Sequence, residues 1–356
     1  MTRGSPRPSR GGASRVYLQP IARLPAAPSG RPALTVKGRR GLEFAAAIRT
    51  ARSGKAVRRV VLTAAEALTG ARVPAELLAR HLAPLPAVAG LSLDRPRLVG
   101  VVNVTADSFS DGGRYLRPEA AIAHGLALAA EGADILDIGG ESTRPGAAPA
   151  DPAAELERVL PVLEGLRART RARLSIDTRH ALVMRGAARA GAHMINDVSA
   201  LAHDPQSLQT AAESGLPIVL MHSQGDPRTM QLRPRYADVV LDVYDALERR
   251  IGACEAAGIA RGRLVVDPGI GFGKTLAHNL ALLAALTIFH GLGCAIMLGA
   301  SRKSLIGDLT GAPVAERLPG SLAIALAAVA QGVELLRVHD VAATRQALAV
   351  WQGVRA

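Results

Sequence analysis

Cysteine, aromatic residues and long apolar runs are all scarce in this sequence, and each scarcity excludes a class of protein. The chain of 356 residues has two cysteines, Cys254 and Cys294, which are too few for a disulfide framework, so we expect a reducing cytoplasm as its compartment. No apolar run approaches the ~20 residues that span a bilayer. Residues 1–15 also lack the apolar core of a secretory signal, and we therefore expect no membrane partner.

Positive charge is plentiful, but it lies at one end of the chain. The net charge is +13; residues 1–97 hold 18 Lys and Arg against 4 Asp and Glu, whereas the remainder holds 25 basic and 26 acidic residues. Aromatic residues make up 3% of the chain, so no platform for stacking nucleic-acid bases is evident, and we expect no nucleic-acid partner. We interpret the basic extension as a solubilising or docking surface, with nucleic-acid binding as its alternative.

Composition divides the chain into three parts. Residues 1–30 are rich in Pro, Gly, Ser and Arg, which predicts disorder. Residues 31–96 mix strand-like and helix-like pieces and predict a small α/β appendage of unknown role, and residues 97–356 predict one large domain. Within the appendage we expect strands at 33–36 and 57–62 and helices at 42–52 and 74–85.

Eight short apolar runs follow residue 97, and most of them end in a polar residue. Such runs are typical of buried parallel strands, and the Ala-rich segments between them are typical of helices that stop at glycine. The pattern predicts a (β/α)8 TIM barrel, an α/β fold whose active site lies at the C-terminal ends of the strands; a doubly wound open sheet is the less favoured alternative. The polar ends are Asn103, Asp137, Asp177, Asn196–Asp197, His222, Asp267, Lys303, and Arg337 with His339, and the glycine stops are Gly132, Gly191, Gly258 and Gly332.

Two polar loops follow the first two runs. NVTADSFSDGG supplies Asn103 and Asp107, whose oxygens suit a divalent cation, although a surface turn is an equal alternative for this loop. GGESTRPGA supplies Thr143 and Arg144, and arginine presents a planar fork to phosphate or carboxylate. We interpret the two loops as a lid over the site.

A ring of polar groups and a set of cations complete the predicted site. Asp177, Asn196, Asp267 and Lys303 fit a flat heterocycle with donors and acceptors at its edge, and a structural hydrogen-bond network is the alternative. DPGIGFGKT is not a P-loop, because Pro268 stands where that motif has glycine. The motifs GASRKS and RVHD place cations after the last two strands, where such barrels commonly bind phosphate.

Taken together, these motifs resemble the dihydropteroate synthase family. The resemblance runs in family order through NVTADSFSDGG, DIGGESTRPGA, SIDT, INDVSAL, MH with DPRTMQ, DPGIGFGKT, SRKS and RVHD, and it covers residue 97 to the end. It implies a TIM barrel, usually dimeric, that joins 4-aminobenzoate to (7,8-dihydropterin-6-yl)methyl diphosphate with the assistance of Mg2+. The products are 7,8-dihydropteroate and diphosphate, and the chain would be a sulfonamide target of folate biosynthesis.

The resemblance also implies a role for each matching residue. Asp177, Asn196, Asp267 and Lys303 would bind the pterin. Asn103, Arg144, Arg337 and His339 would bind the diphosphate, with Asn103 also serving Mg2+. Thr143, Phe272 and Ser304 would form the 4-aminobenzoate pocket, and Asp107, Asp267 and Lys303 would be the catalytic residues.

Two rival functions use the same barrel. A pterin-binding methyltransferase-type barrel could share the polar ring, but it would not need the cations that suit a diphosphate. A non-catalytic paralogue would show decay of the loop motifs, and none is evident. His222 ends the fifth run without an assigned role, and we interpret it as structural.

Overall fold

The structure, a computed structural model, describes residues 14–23, 34–35, 43–104, 118–141, 150–225 and 229–354. The chain divides into two compact units, Met1–Pro84 and Leu85–Ala356. The boundaries that we place at residues 30 and 96 remain predictions. The disorder predicted for residues 1–30 is wrong for Arg15–Arg23, because this segment forms a strand that pairs with Glu43–Ser53. Among the described residues, no helix is both long enough and apolar enough to cross a membrane.

In the first unit the described residues form an antiparallel sheet and two helices. Its strands and helices are β1 (Arg15–Arg23), β2 (Leu34–Thr35), β3 (Glu43–Ser53), β4 (Ala56–Thr63), α1 (Ala64–Leu68) and α2 (Ala75–Leu82). The central strand β3 pairs with β1, β2 and β4, and β4 has no second partner strand among the described residues. Leu18, Phe44, Leu62 and Leu77 pack into the core of this unit. The strand predicted at 33–36 is confirmed by β2, the strand at 57–62 by β4, and the helix at 74–85 by α2.

The predicted helix at residues 42–52 is wrong, because this segment is the strand β3. Its buried residues are Phe44, Ala47 and Thr50, a spacing of three that resembles one face of a helix. In the fold, β3 pairs with β1 along one edge and with β4 along the other. Pairing along both edges outweighs the helical propensity of its alanines.

Eight parallel strands close into a barrel in the second unit, each paired with the next along the chain and the last with the first. They are β5 (Arg97–Asn103), β6 (Ile135–Gly139), β7 (Arg173–Asp177), β8 (Met194–Asp197), β9 (Ile218–Met221), β10 (Leu264–Asp267), β11 (Ala295–Leu298) and β12 (Leu335–Val338). The α-helices around them are α3 (Pro118–Glu131), α4 (Pro152–Arg167), α5 (Ala181–Ala190), α6 (Ser207–Ser214), α7 (Val239–Ala256), α8 (Leu276–Ala284), α9 (Ser304–Thr310), α10 (Leu318–Ala330) and α11 (Val341–Gly353). The predicted (β/α)8 barrel is confirmed.

A glycine ends α5 for two independent reasons. Gly191 has a left-handed backbone with φ of 93°, which L side chains rarely adopt. A Cβ at this position would also overlap the guanidinium of Arg167, which donates a hydrogen bond to the carbonyl of Ala190. The three other predicted stops, Gly132, Gly258 and Gly332, have positive φ as well.

Apolar side chains fill the N-terminal end of the barrel. Val88 and Leu93, in the segment just before β5, are buried with side chains from the strands, among them Val99, Ile135 and Leu335. Val88 and Leu91 pair in an isolated bridge that bends this segment back on itself. The apolar layer therefore occupies one end of the barrel, and the polar strand ends lie at the other.

Candidate active site

Four strands contribute to one hydrogen-bond network at the C-terminal end of the barrel. Arg337 of β12 donates from Nε to Oδ2 of Asp137 in β6 over 2.6 Å, and from Nη2 to Oδ2 of Asp177 in β7 over 2.7 Å. Asn196 of β8 donates from Nδ2 to the same oxygen of Asp137 over 2.9 Å. The predicted residues Asp177, Asn196 and Arg337 are thus held together, with Asp137 between them.

Burial sets the charges in this network. It raises the pKa of Asp177 to about 8, with Arg337 opposing the rise and Asp137 adding to it. Burial also acts against the charge of Arg337, but Asp137 and Asp177 hold its pKa above the ordinary value. Asp177 can therefore gain or lose a proton near neutral pH while Arg337 stays a cation.

Asp267 and Lys303 form the second half of the site. Asp267, the last residue of β10, accepts a hydrogen bond at Oδ1 from the backbone N–H of Gly269 over 2.7 Å. Burial raises its pKa, and Lys303 opposes that rise. The Lys303 ammonium donates to the carbonyl of Ile270, and burial lowers its pKa to about 8 although Asp267 acts the other way.

An aromatic ring adjoins the Lys303 ammonium. Nζ of Lys303 lies 4.6 Å from the centroid of the Phe272 ring, a distance at which a cation is attracted to an aromatic face. Ser304, the next residue, begins α9 and is exposed. Lys303, a predicted pterin-binding residue, therefore adjoins two residues of the predicted 4-aminobenzoate pocket: its ammonium contacts the ring of Phe272, and Ser304 is the next residue in the chain.

Asn103 and His339, two of the predicted anion-binding residues, lie at the same end of the barrel as Arg337. Asn103 ends β5 opposite Gly139 of β6. His339 follows β12, and its Nδ1 lies 3.1 Å from the hydroxyl of Ser301. Burial, together with nearby Arg337, lowers the pKa of His339 to about 4, so its imidazole is neutral at physiological pH.

Three predicted site residues lie outside the described residues: Asp107, Thr143 and Arg144. The predicted lid formed by the two loops that carry them remains a prediction.

Two buried groups were not assigned a role from the sequence. Asp137 lies within a strand rather than at its end, and its partners Arg337 and Asn196 are far away in sequence. Lys274, which belongs to the P-loop-like motif DPGIGFGKT, is 3% exposed, and its ammonium contacts three carbonyl oxygens and the ring of His222. In the sequence, the position of Lys274 in a glycine-rich turn directly after a strand is the feature that points to a role in the site.

Glu141, Glu155 and His180 also lie close enough for one atom of each to reach a common metal ion. Arg179, however, donates to both oxygens of Glu141 over 2.6 and 2.8 Å. His180 pairs with Glu155 over 2.6 Å, and this hydrogen bond raises the pKa of His180. Each carboxylate therefore already has a side-chain partner, Arg179 for Glu141 and His180 for Glu155.

Comparison with known proteins places this geometry in a family. Residues 99–339 match the model of a family described as "Pterin binding enzyme". The chain is 48% identical over 260 residues to a dihydropteroate synthase of Escherichia coli (strain K12); the match covers 73% of this chain and 92% of that protein.

Two solved structures are similar as well. A Xanthomonas albilineans dihydropteroate synthase with 4-aminobenzoic acid matches with a TM-score of 0.71 and 54% identity, over 75% of this chain and 97% of that one. The same organism's enzyme in complex with 7,8-dihydropteroate matches with a TM-score of 0.68 and 50% identity, over 75% of this chain and 96% of that one.

Proposed function

Because the chain belongs to the family of pterin-binding enzymes, we propose that it is a transferase with dihydropteroate synthase activity. It condenses 4-aminobenzoate with (7,8-dihydropterin-6-yl)methyl diphosphate and releases 7,8-dihydropteroate and diphosphate, a step of folate biosynthesis. The observation that carries the proposal is the joined ring of strand-end groups, Asp177, Asn196 and Arg337 beside Asp267 and Lys303.

The polar ring suits the edge of a pterin. An aminopyrimidine edge presents N–H donors next to nitrogen and oxygen acceptors. The carboxylate of Asp267 and the amide oxygen Oδ1 of Asn196 can accept hydrogen bonds from such N–H groups. The amide nitrogen Nδ2 of Asn196 already donates to Asp137. Lys303 donates to an acceptor on the ring, and Asp177 can do either because of its raised pKa.

The reaction exchanges one bond for another at the pterin methylene. The C–O bond to the diphosphate breaks and its electron pair leaves with the oxygen, while the lone pair of the arylamine forms the new C–N bond. The amine then loses one proton to solvent. Asp267 stabilises the positive charge that develops on the methylene, and Lys303 fixes the ring, so these two are the proposed catalytic residues together with Asp107.

Cations and neutral donors receive the leaving group. Arg337 uses two of its five N–H donors on Asp137 and Asp177, and the others remain for phosphate oxygens. Neutral His339 donates from Nε2 when its Nδ1 accepts from Ser301. Asn103 and Arg144 complete the proposed diphosphate group.

Mg2+ is the proposed cofactor. Mg2+ keeps several waters and needs only one or two protein oxygens besides substrate phosphates, so the amide oxygen of Asn103 is a sufficient protein ligand. Bound to the diphosphate, the ion would neutralise charge on the leaving group.

The 4-aminobenzoate pocket is proposed at Phe272, Ser304 and Thr143. The ring of Phe272 offers an apolar face, and Ser304, an exposed residue at the start of α9, offers a hydroxyl for the carboxylate. We also propose a homodimer, to be tested by light scattering, and a cytoplasmic location. Both cysteines are buried thiols rather than members of a disulfide, which supports a reducing compartment.

A coupled assay tests this function. Purified protein with Mg2+ should release diphosphate only when both the pterin diphosphate and 4-aminobenzoate are present, and should form dihydropteroate in equal amount. Asp267→Asn and Lys303→Ala should each lose most turnover, while Cys254→Ala, a buried free thiol, should keep it. No condensed product from the unaltered protein would refute the synthase, and methyl transfer from methyltetrahydrofolate would favour the rival barrel.

A further inference from the structure

We propose that Lys274, with His222 as its acceptor, is a positioning residue that holds the glycine-rich segment 268–273 in the shape that presents Phe272 and Lys303 to the substrates. This inference rests on the proposed function, because it concerns the same pocket. Neither residue has a role in the reaction as described above.

The Lys274 ammonium is surrounded by acceptors. Its Nζ lies 2.8 Å from the carbonyl of Gly269, 2.9 Å from that of Phe272 and 3.2 Å from that of His222. Nδ1 of His222 is 3.0 Å away. Carbonyls can only accept, and an ammonium has three N–H donors where a neutral amine has two, so these contacts suit the charged form.

His222 is suited to be the fourth acceptor. Burial, together with Lys274, lowers its pKa to about 3, so the ring is neutral and its Nδ1 can accept when Nε2 carries the hydrogen. Its backbone N–H donates to the carbonyl of Asp267 over 2.9 Å, which ties the end of β9 to the end of β10. Gly269, with φ of 69°, permits this close approach, because a Cβ there would overlap the carbonyl oxygen of His222.

The segment held by Lys274 reaches the site through two groups. The carbonyl of Ile270 accepts from Lys303, and the ring of Phe272 lies beneath the same ammonium. Other side chains also contact the segment: Tyr236 donates to the carbonyl of Gly273 over 2.9 Å, and Asn279 accepts from the N–H of Gly271 over 2.8 Å. Lys274 differs from these two side chains because its amino group loses one N–H donor near neutral pH.

The charge balance around Lys274 sets where that proton is lost. Burial lowers the pKa of Lys274 to about 7, Asp267 opposes this shift, and Lys303 adds to it. His222 contributes no charge, since it is neutral. Above about pH 7 the amine has one donor fewer, and the hold on the carbonyls of Gly269 and Phe272 weakens.

Kinetics of variants across pH test the inference, with His222→Leu against His222→Asn as the central pair. Asparagine keeps an acceptor near the position of Nδ1, and leucine removes it. We expect His222→Leu to raise the KM for 4-aminobenzoate by roughly tenfold, since a buried donor loses its partner, and to move the alkaline fall in kcat/KM to lower pH. His222→Asn should keep the KM within about threefold of that of the unaltered enzyme and leave the alkaline fall in kcat/KM near its original pH.

Lys274→Met provides a second measurement. It should abolish the inflection near pH 7 and leave the later one that Lys303 causes, whereas Lys55→Met and His124→Leu, both at exposed positions, should change nothing. Thermal unfolding confirms that each variant is folded. If only one of His222→Leu and Lys274→Met folds, that variant decides; if neither folds, the absence of an inflection near pH 7 in the unaltered enzyme overturns the inference. If the folded variants of His222 and Lys274 have the same KM for 4-aminobenzoate and the same pH profile as the unaltered enzyme, the inference is overturned. An unaltered protein without activity overturns the proposed function instead.

Discussion

Replacing Asp137 by asparagine should cost the barrel more stability than any exposed charge does. Oδ2 of Asp137 accepts from both Arg337 and Asn196, and the side chain is fully buried. Its other oxygen, Oδ1, has no hydrogen-bond partner among the described residues. Asparagine fits the same space with its own oxygen towards the two donors, but it places two N–H groups where no acceptor is found.

The magnitude follows from the partners that remain. Removing one member of a buried ion pair costs about 3–5 kcal/mol, and the lower end applies because Arg337 keeps Asp177 and a neutral oxygen. We therefore expect Asp137→Asn to lower the free energy of unfolding by about 3 kcal/mol. The variant should also lower the pKa of Asp177, because the charge of Asp137 is one cause of its rise.

Urea unfolding at pH 7 is the assay, with Asp94→Asn as the matched control. Asp94 pairs with Arg97 over 2.8 Å at a side-chain exposure of 73%, so its loss should cost far less stability than the loss of Asp137. Equal losses in the two variants would refute the reasoning, because a buried and an exposed pair would then contribute alike.

Three further outcomes are expected. The pKa of Asp177 is raised to about 8 in the fold, so the stability that its protonated form contributes is complete below the pKa of about 4 in the unfolded chain and is lost as the pH rises towards 8. Asp177→Asn should therefore gain stability relative to the unaltered protein as the pH rises across that range, which urea unfolding at several pH values measures. Gly191→Ala should lower the melting temperature more than Gly215→Ala, because both have positive φ but only Gly191 lacks space for a Cβ. Removing residues 1–84 should leave the synthase assay unchanged, whereas removing residues 1–93 should destabilise the barrel, because it deletes the buried Val88 and Leu93.

The barrel could be predicted from the sequence, because each of its strands can be recognised from its own residues. A run such as RLVVD is apolar, short and closed by a carboxylate, and no distant residue is needed to recognise it as a strand. Strand β3 shows the opposite case, since its pairing partners decide its structure and its own alanines favour a helix. Local patterns cannot report pairing between segments that meet only in the fold.

The same distinction separates the site residues. Asp177, Asn196 and Asp267 lie at or next to the last residue of their strands, and Lys303 follows its strand, so all four could be predicted from position alone. The contacts of Arg337 with two carboxylates join residues 200 and 160 positions apart, so no local motif contains them. The partnership of His222 with Lys274 spans 52 positions, which is why His222 looked merely structural in the sequence.

Strand β4, which pairs only with β3 among the described residues, gives part of the basic extension a purpose that needs no ligand. A closed barrel exposes no unpaired strand, but an edge strand offers free backbone groups to the edge of another molecule. Arg58 and Arg59 are exposed on β4, and Lys55 precedes it in the turn from β3. Two copies that approached edge to edge would bring these like charges together, so this cluster opposes intermolecular strand addition and favours solubility of the sheet that precedes the barrel.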